Sequence, residues 1–231
     1  MANLHKQDMR EIDFVGQLHK KSKRNYLARV NDETYPKYKA AELAKKYDID
    51  YWDGDRRICY GGYKYIEGWW EVAVKKMLNY YQLPKGAKIL DVGCGKGYML
   101  YDFKKIRPDL EVTGIDISEY AIKNAKEEIK DRLRIGNAKK LPWQDKTFDL
   151  VYSINTLHCL DAEDLNESLK EIERVGKKDK YVCVESWRNE KEKANLLYWQ
   201  VTCESFYSTQ IWKWWFKQTG YSGDYSFIYF E

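Results

Sequence analysis

The chain has 231 residues, enough for one α/β domain with elaborations. Forty Lys and Arg against 36 Asp and Glu leave a formal charge of +4, and the two signs interleave, which argues against a nucleic-acid-binding protein. No run of about 18 apolar residues occurs, so no membrane span is expected.

The first ten residues are polar and lack the apolar core of a signal peptide. Residues 1–50 read as helical, with Leu4, Met9, Ile12, Val15 and Leu18 on one apolar face. Pro36 interrupts, and Ala40 to Tyr47 suggests a second short helix. The most basic patch, His19 to Arg24, reads first as a solvated helix face and second as a polyanion site. Residues 51–70 are dominated by Gly, Trp and Tyr with no period, which suits an ordered loop or lid rather than a linker. Nine Trp and 20 Tyr are too many to be all exposed, so many line a core or a cleft.

A helix is predicted over 71–81, and Pro84, Lys85 and Gly86 form a turn. From Lys88 strands and helices alternate: strands at 88–92, 111–115, 132–135, 148–153 and 180–186, helices at 97–106, 119–130 and 163–175. That alternation predicts an α/β, Rossmann-like fold with a mostly parallel sheet covered on both faces. Tyr225 to Phe230 is a candidate closing edge strand. Residues 1–70 are expected to form a cap and residues 71–231 the core of one structural domain. The five cysteines are scattered without metal-ligand spacing, as expected for reduced thiols in a cytoplasmic protein that holds no metal.

Ile89 to Tyr98 is the most informative stretch: an apolar run ends at Asp91, and Gly93, Gly95 and Gly97 follow at every second position. A buried strand turning sharply into a helix has this form, and glycine there permits positive φ and close approach of a ligand. The spacing is not the Gly-x-Gly-x-x-Gly of a dinucleotide site, which disfavours a nicotinamide dehydrogenase. Asp116, at the end of the second strand, stands where a carboxylate can accept from both hydroxyls of a ribose; Ser118 caps the next helix. Asn137 and Ala138 follow the third strand, where the Asn amide either reads an adenine edge or closes an Asx turn. The fourth strand runs into Ser153, Asn155 and His158 at the carboxyl edge of the sheet, the edge at which open α/β sheets bind ligands.

These features in this order resemble the class I S-adenosylmethionine-dependent methyltransferases over residues 86–186. The resemblance implies a seven-stranded-type sheet and a cofactor set of Asp91, Gly93, Cys94, Gly95, Gly97, Asp116, Ile117, Asn137, Ala138, Ser153 and Tyr63, with S-adenosylhomocysteine as product. Many members carry Asp where Asn137 stands. The stretch Tyr51 to Arg57, then Tyr60 to Tyr63, and the ending Gly220 to Glu231 are similar to a bacterial subgroup found in capsule and surface-polysaccharide modification clusters, including those building O-methyl phosphoramidate groups. Subgroup members often carry Gly where Cys59 stands and Arg where Trp69 stands.

Methyl transfer from a sulfonium is an in-line displacement governed by positioning. Aromatic faces suit the sulfonium, and Tyr60, Tyr63, Trp69 and Trp70 supply them unless they are simply core. His158 is the candidate base for a hydroxyl acceptor, or else a histidine packed against the next helix; Asn155 is its rival for positioning. Arg56 and Arg57 suit bidentate binding of an anionic acceptor, or else pair with Asp53 or Asp55. The expected activity is O-methylation of a small phosphorylated or nucleotide-linked precursor by a monomer or homodimer. N-methylation of an amine or amino sugar, and a non-catalytic cofactor-binding subunit, are the rival readings.

Overall fold

The computed structural model describes residues 9–20 and 24–231. Four short helices come first: α1 (Gly16–Lys20), α2 (Tyr26–Val30), α3 (Lys37–Ala44) and α4 (Ile49–Trp52). Then α5 (Glu71–Tyr81) leads into β1 (Lys88–Val92), α6 (Tyr98–Ile106), β2 (Glu111–Asp116), α7 (Glu119–Lys123), β3 (Leu133–Ile135), β4 (Phe148–Ile154), α8 (Ala162–Val175), β5 (Gly176–Glu185), α9 (Glu190–Trp199), α10 (Thr209–Gln218) and β6 (Asp224–Ile228). The strands form one sheet in the order β3-β2-β1-β4-β5-β6, every pair parallel.

Side chains alternate across this sheet and feed two cores. Ile89, Leu150, Tyr152, Tyr181 and Cys183 face one, with Phe14, Val15 and Leu18 packed among them; Leu90, Val151, Val182 and Val184 face the other. Burial on both sides explains the unbroken apolar run of β1. The amphipathic α8 buries Leu165, Leu169, Ile172 and Val175, and its N-cap Asp161 accepts the Asp164 N–H at 2.8 Å. A third cluster holds Ala40, Ala44, Tyr51, Trp52 and Ile58 of the N-terminal segment against Ala121.

Three expectations change. Among the described residues the sheet has six strands rather than seven, because β5 pairs directly with β6. The helix predicted over 119–130 stops at Lys123, and a 3-10 turn follows over Glu127–Arg132. The apolar N-terminal face is largely not helical: residues 9–12 are extended, with Glu11 bridged to Tyr225, although Val15 and Leu18 are buried. Leu4 and Lys21 to Lys23 lie outside the described residues. Among the described residues no helix is long and apolar enough to cross a membrane, and no His, Cys, Asp and Glu cluster is arranged to hold a metal ion.

Candidate active site

The glycine turn joins β1 to α6 at the carboxyl edge of the sheet. Gly93, Gly95 and Gly97 all have positive φ. At Gly93 a Cβ would stand 2.0 Å from Thr156 Oγ1, and at Gly95 it would stand 2.8 Å from the Trp52 ring. Only glycine satisfies both the backbone and the space. Asp116 braces the turn: one carboxylate oxygen accepts the Gly95 N–H at 2.7 Å and the other the Ser118 N–H at 2.8 Å. Burial pushes the Asp116 carboxyl up, against those two backbone donors. Asp91 lies deeper, and burial pushes its carboxyl up to about 8.

This turn floors a cleft. Asp116 and Ile117 lie at one end, Asn137 and Ala138 after β3, and Asn155 and Thr156 beyond β4. Tyr51, Trp52, Tyr60 and Tyr63 roof it from the N-terminal segment. Asn155 holds φ at +58°, and its buried Oδ1 has no hydrogen-bond partner. Strain of this kind in a non-glycine residue marks a position fixed by its surroundings. The Asn137 Oδ1 accepts the Lys139 N–H at 3.0 Å, so the Asx turn forms while the residue still lines the cleft.

The roof is latched to the glycine turn by a residue that sequence reasoning passed over. Lys96, between Gly95 and Gly97, is buried, and its Nζ donates to both oxygens of Asp53 (2.8 and 2.7 Å) and to the Tyr63 carbonyl (2.9 Å). The Tyr120 hydroxyl donates to Asp53 at 2.9 Å, and that of Tyr98 to the Tyr63 carbonyl at 2.9 Å. Partial burial raises the Asp53 carboxyl, but the Lys96 and Tyr120 bonds outweigh it and hold it below its usual range. Trp52 lies over Gly95 and donates its indole N–H to Ser118 Oγ at 2.8 Å. A charged residue inside a glycine run was the available signal.

A second pocket opens beside the cleft and shares Tyr60, Tyr63, Trp70 and Asn155 with it. Arg24, Arg29 and Arg56 line it around Trp199, their guanidinium carbons 5.7, 4.8 and 5.8 Å from the ring centroid. Arg29 also donates to the Trp199 carbonyl at 2.9 Å, and burial pushes its guanidinium down from the usual value. Among the described residues no carboxylate comes within ion-pair distance of these three. His158 and Glu185 stand on the same wall.

A family profile described as "Methyltransferase domain" matches residues 83–220, the stretch from the turn before β1 through α10. The chain belongs to this methyltransferase family. It is 34% identical over 119 residues to an uncharacterized methyltransferase of Schizosaccharomyces pombe, covering 46% of this chain and 41% of that protein. It is 33% identical over 128 residues to a demethylmenaquinone methyltransferase of Symbiobacterium thermophilum, covering 52% and 50%. The matches thus span half or less of those relatives. A putative methyltransferase of Bacillus halodurans shares the fold, with a TM-score of 0.52 at 19% identity over 64% of this chain and 68% of that one.

Class I methyltransferases use S-adenosylmethionine, and the cleft suits it: two glycine cradles that a Cβ would fill, a carboxylate at the end of β2, and an unsatisfied amide oxygen on Asn155. When bound, the cofactor supplies an electrophilic methyl on a sulfonium. Of the residues expected around it, Asp91, Gly93, Cys94, Gly95, Asp116, Ile117, Asn137, Ala138 and Tyr63 line the cleft. Gly97 and Ser153 do not. Gly97 packs toward Ile129 and Leu133, and Ser153 is buried with its hydroxyl donating to the Val92 carbonyl at 2.8 Å. Both shape the turn from behind.

The acceptor residues separate more sharply. Arg56, Tyr60 and Trp69 line the second pocket, whereas Arg57 turns to the surface and pairs with Asp55 at 2.6 Å. His158 lines the second pocket and not the cofactor cleft, and burial pushes its imidazole down to about 3. Burial thus disfavours the imidazolium at this position. Arg24 ends the basic patch whose second reading is a polyanion site, and it does line this pocket; Arg29 carries no local signal, because nothing in the sequence places it beside Trp199.

Proposed function

We propose that this methyltransferase transfers the methyl group of S-adenosylmethionine to an oxygen of a small phosphorylated or nucleotide-linked acceptor. The observation that carries this reading is the set of three arginines without carboxylate partners, gathered on Trp199 in a pocket that opens into the cofactor cleft. Clustered cations repel one another, and a partly buried guanidinium such as that of Arg29 is costly without an anion, so three cations facing the single Glu185 carboxylate favour binding of a further anion. Planar guanidinium groups match phosphoryl oxygens in pairs. In this reading Asp116 holds the ribose hydroxyls, Asn137, Ala138 and Ile117 flank the adenine, and Gly93, Cys94 and Gly95 lie along the methionine part. Asn155, common to both spaces, orients the acceptor toward the methyl, and such positioning can supply most of the acceleration. The similarity of the flanking sequence to methyltransferases of surface-polysaccharide clusters supports a capsule or surface-glycan precursor, phosphoramidate types included.

The test is to supply methyl-labelled S-adenosylmethionine with hexose phosphates and nucleoside diphosphate sugars, each paired with its dephosphorylated counterpart. Label is expected only in the phosphorylated member of a pair. Equal labelling of the neutral counterparts would remove the anionic-acceptor reading and leave the methyltransferase assignment standing.

A further inference from the structure

Glu185 is the only carboxylate among the described residues that line the arginine pocket. It ends β5 and is 6% exposed. Its Oε2 accepts from Gln200 Nε2 and lies 3.5 Å from His158 Nε2. The Glu185 backbone N–H points at His158 Nδ1, 3.4 Å away, which fixes that nitrogen as the acceptor and puts the ring proton on Nε2, facing the carboxylate. Among the described residues no hydrogen bond reaches Oε1, and none of the three arginines comes within 4 Å of either oxygen. A buried carboxyl group is normally consumed by its surroundings. Here one oxygen is held by Gln200, with His158 Nε2 3.5 Å away, and the other is left to the cavity.

We propose that Glu185 is the general base of the reaction, that His158 is its positioning residue, and that the acceptor carries a hydroxyl besides the anionic group held by the arginines. This rests on the anionic-acceptor reading above and selects the hydroxyl, not a phosphoryl oxygen, as the methylated atom. The hydroxyl proton passes to a Glu185 carboxylate oxygen as an oxygen lone pair forms the new C–O bond to the methyl carbon. The S–CH3 bond breaks with its electron pair left on sulfur, so the sulfonium becomes the neutral thioether. Glu185 then releases its proton to solvent.

The electrostatic surroundings suit the role. Burial holds the Glu185 carboxyl up to about 8, with the Gln200 bond and the Arg24 charge pulling the other way. A base is most effective when its pKa lies near the working pH, because it is both ionised and basic enough. The charged and titratable groups around it are Arg24, His158, and the thiols of Cys59, Cys159, Cys183 and Cys203, all four pushed up by burial. His158 is itself pushed down by burial and by His19, so it stays a neutral N–H donor.

Calorimetry on the full chain saturated with S-adenosylhomocysteine gives the first test, with inorganic phosphate and a set of hexose phosphates as probes. The best hexose phosphate is expected to bind at least about 10-fold more tightly than inorganic phosphate, a margin that Glu185→Ala removes without changing phosphate affinity. For any probe that turns over, Glu185→Gln is expected to lower kcat about 100-fold or more, to leave KM within about threefold, and to abolish the inflection near pH 8. His158→Gln is expected to lower kcat about 10-fold and to move that inflection rather than abolish it. After alkaline phosphatase the labelled methyl group should remain on the dephosphorylated sugar. An unchanged affinity margin in Glu185→Ala, an unchanged pH profile in Glu185→Gln, or a phosphatase-resistant methyl phosphate each overturns the proposal. If no phosphate binds at all, the anionic-acceptor reading falls and takes this inference with it; if phosphates bind without dependence on Glu185, this inference falls alone.

Discussion

The cofactor cleft and the arginine pocket adjoin, yet they are built in opposite ways. The floor of the cleft is made of short runs of residues at the ends of β1, β2, β3 and β4, and backbone groups shape it: Asp116 is fixed by two N–H groups and the glycine turn by its own φ angles, while aromatic side chains of the N-terminal segment roof it. The pocket is made of side chains from distant segments. Arg24, Arg29 and Arg56 come from before the sheet, His158 and Glu185 from β4 and β5 onward, and Trp199 from α9. A site made of backbone accepts one ligand shape and tolerates little change. A site made of side chains can be re-aimed by one substitution at a time, which suits the half of a transferase that selects the acceptor.

That contrast can be broken experimentally. The largest effect should come from Gly93→Val, which adds a Cβ where Thr156 already stands at a φ of +85°. S-adenosylhomocysteine affinity, measured by calorimetry, is expected to fall more than about 100-fold. Next, Arg29→Met combined with Arg56→Met should raise the KM for a phosphorylated acceptor about 100-fold while leaving S-adenosylhomocysteine affinity within about threefold. Loss of cofactor binding in that variant would mean that the two sites are not separable. Lys96→Met should cost about 3 kcal/mol of stability in urea unfolding, because it leaves Asp53 without its cation under the roof.

The latch also has a pH signature. The Asp53 carboxyl is lower in the folded chain than its ordinary value of 3.8, so its contribution is fully present above that value and fades as pH falls through the folded one. The stability difference between wild type and Asp53→Asn should therefore be flat from about pH 7 to 5 and shrink below about pH 4. The smallest effect belongs to Arg57→Ala: an exposed pair with Asp55 predicts no measurable change in stability or in KM. A clear KM effect there would show that Arg57 swings into the pocket.

The alternation of strand and helix after Lys88 was legible because β-strands buried on both faces must be apolar and the intervening helices amphipathic. The short helices before it were legible only in part: the helix read at Ala40 to Tyr47 overlaps α3, but the bounds were not readable, since each of these helices is eight residues or fewer and takes its stability from packing rather than from its own pattern. Arg56 and Arg57 carry the same local signal and point to different places: Arg57 is caught by Asp55 two residues away, while Arg56 turns to Trp199. His158 presents the same difficulty, because position at a sheet edge is readable from sequence and burial is not.

By itself, then, the sequence determined the donor side. Gly93, Gly95, Asp116 and Asn137 stand at strand ends where the local pattern marks a turn, and a turn's need for positive φ or a capping side chain is short in range. The tertiary structure alone decided the pocket proposed for the acceptor. Which arginines lack an anion, which carboxyl loses its water, and which histidine is silenced by burial are consequences of segments more than 100 residues apart meeting at one wall, as Arg29 meets the Trp199 carbonyl. Desolvation and the pairing of charges depend on what surrounds a group in space, and that is fixed only when the chain has closed.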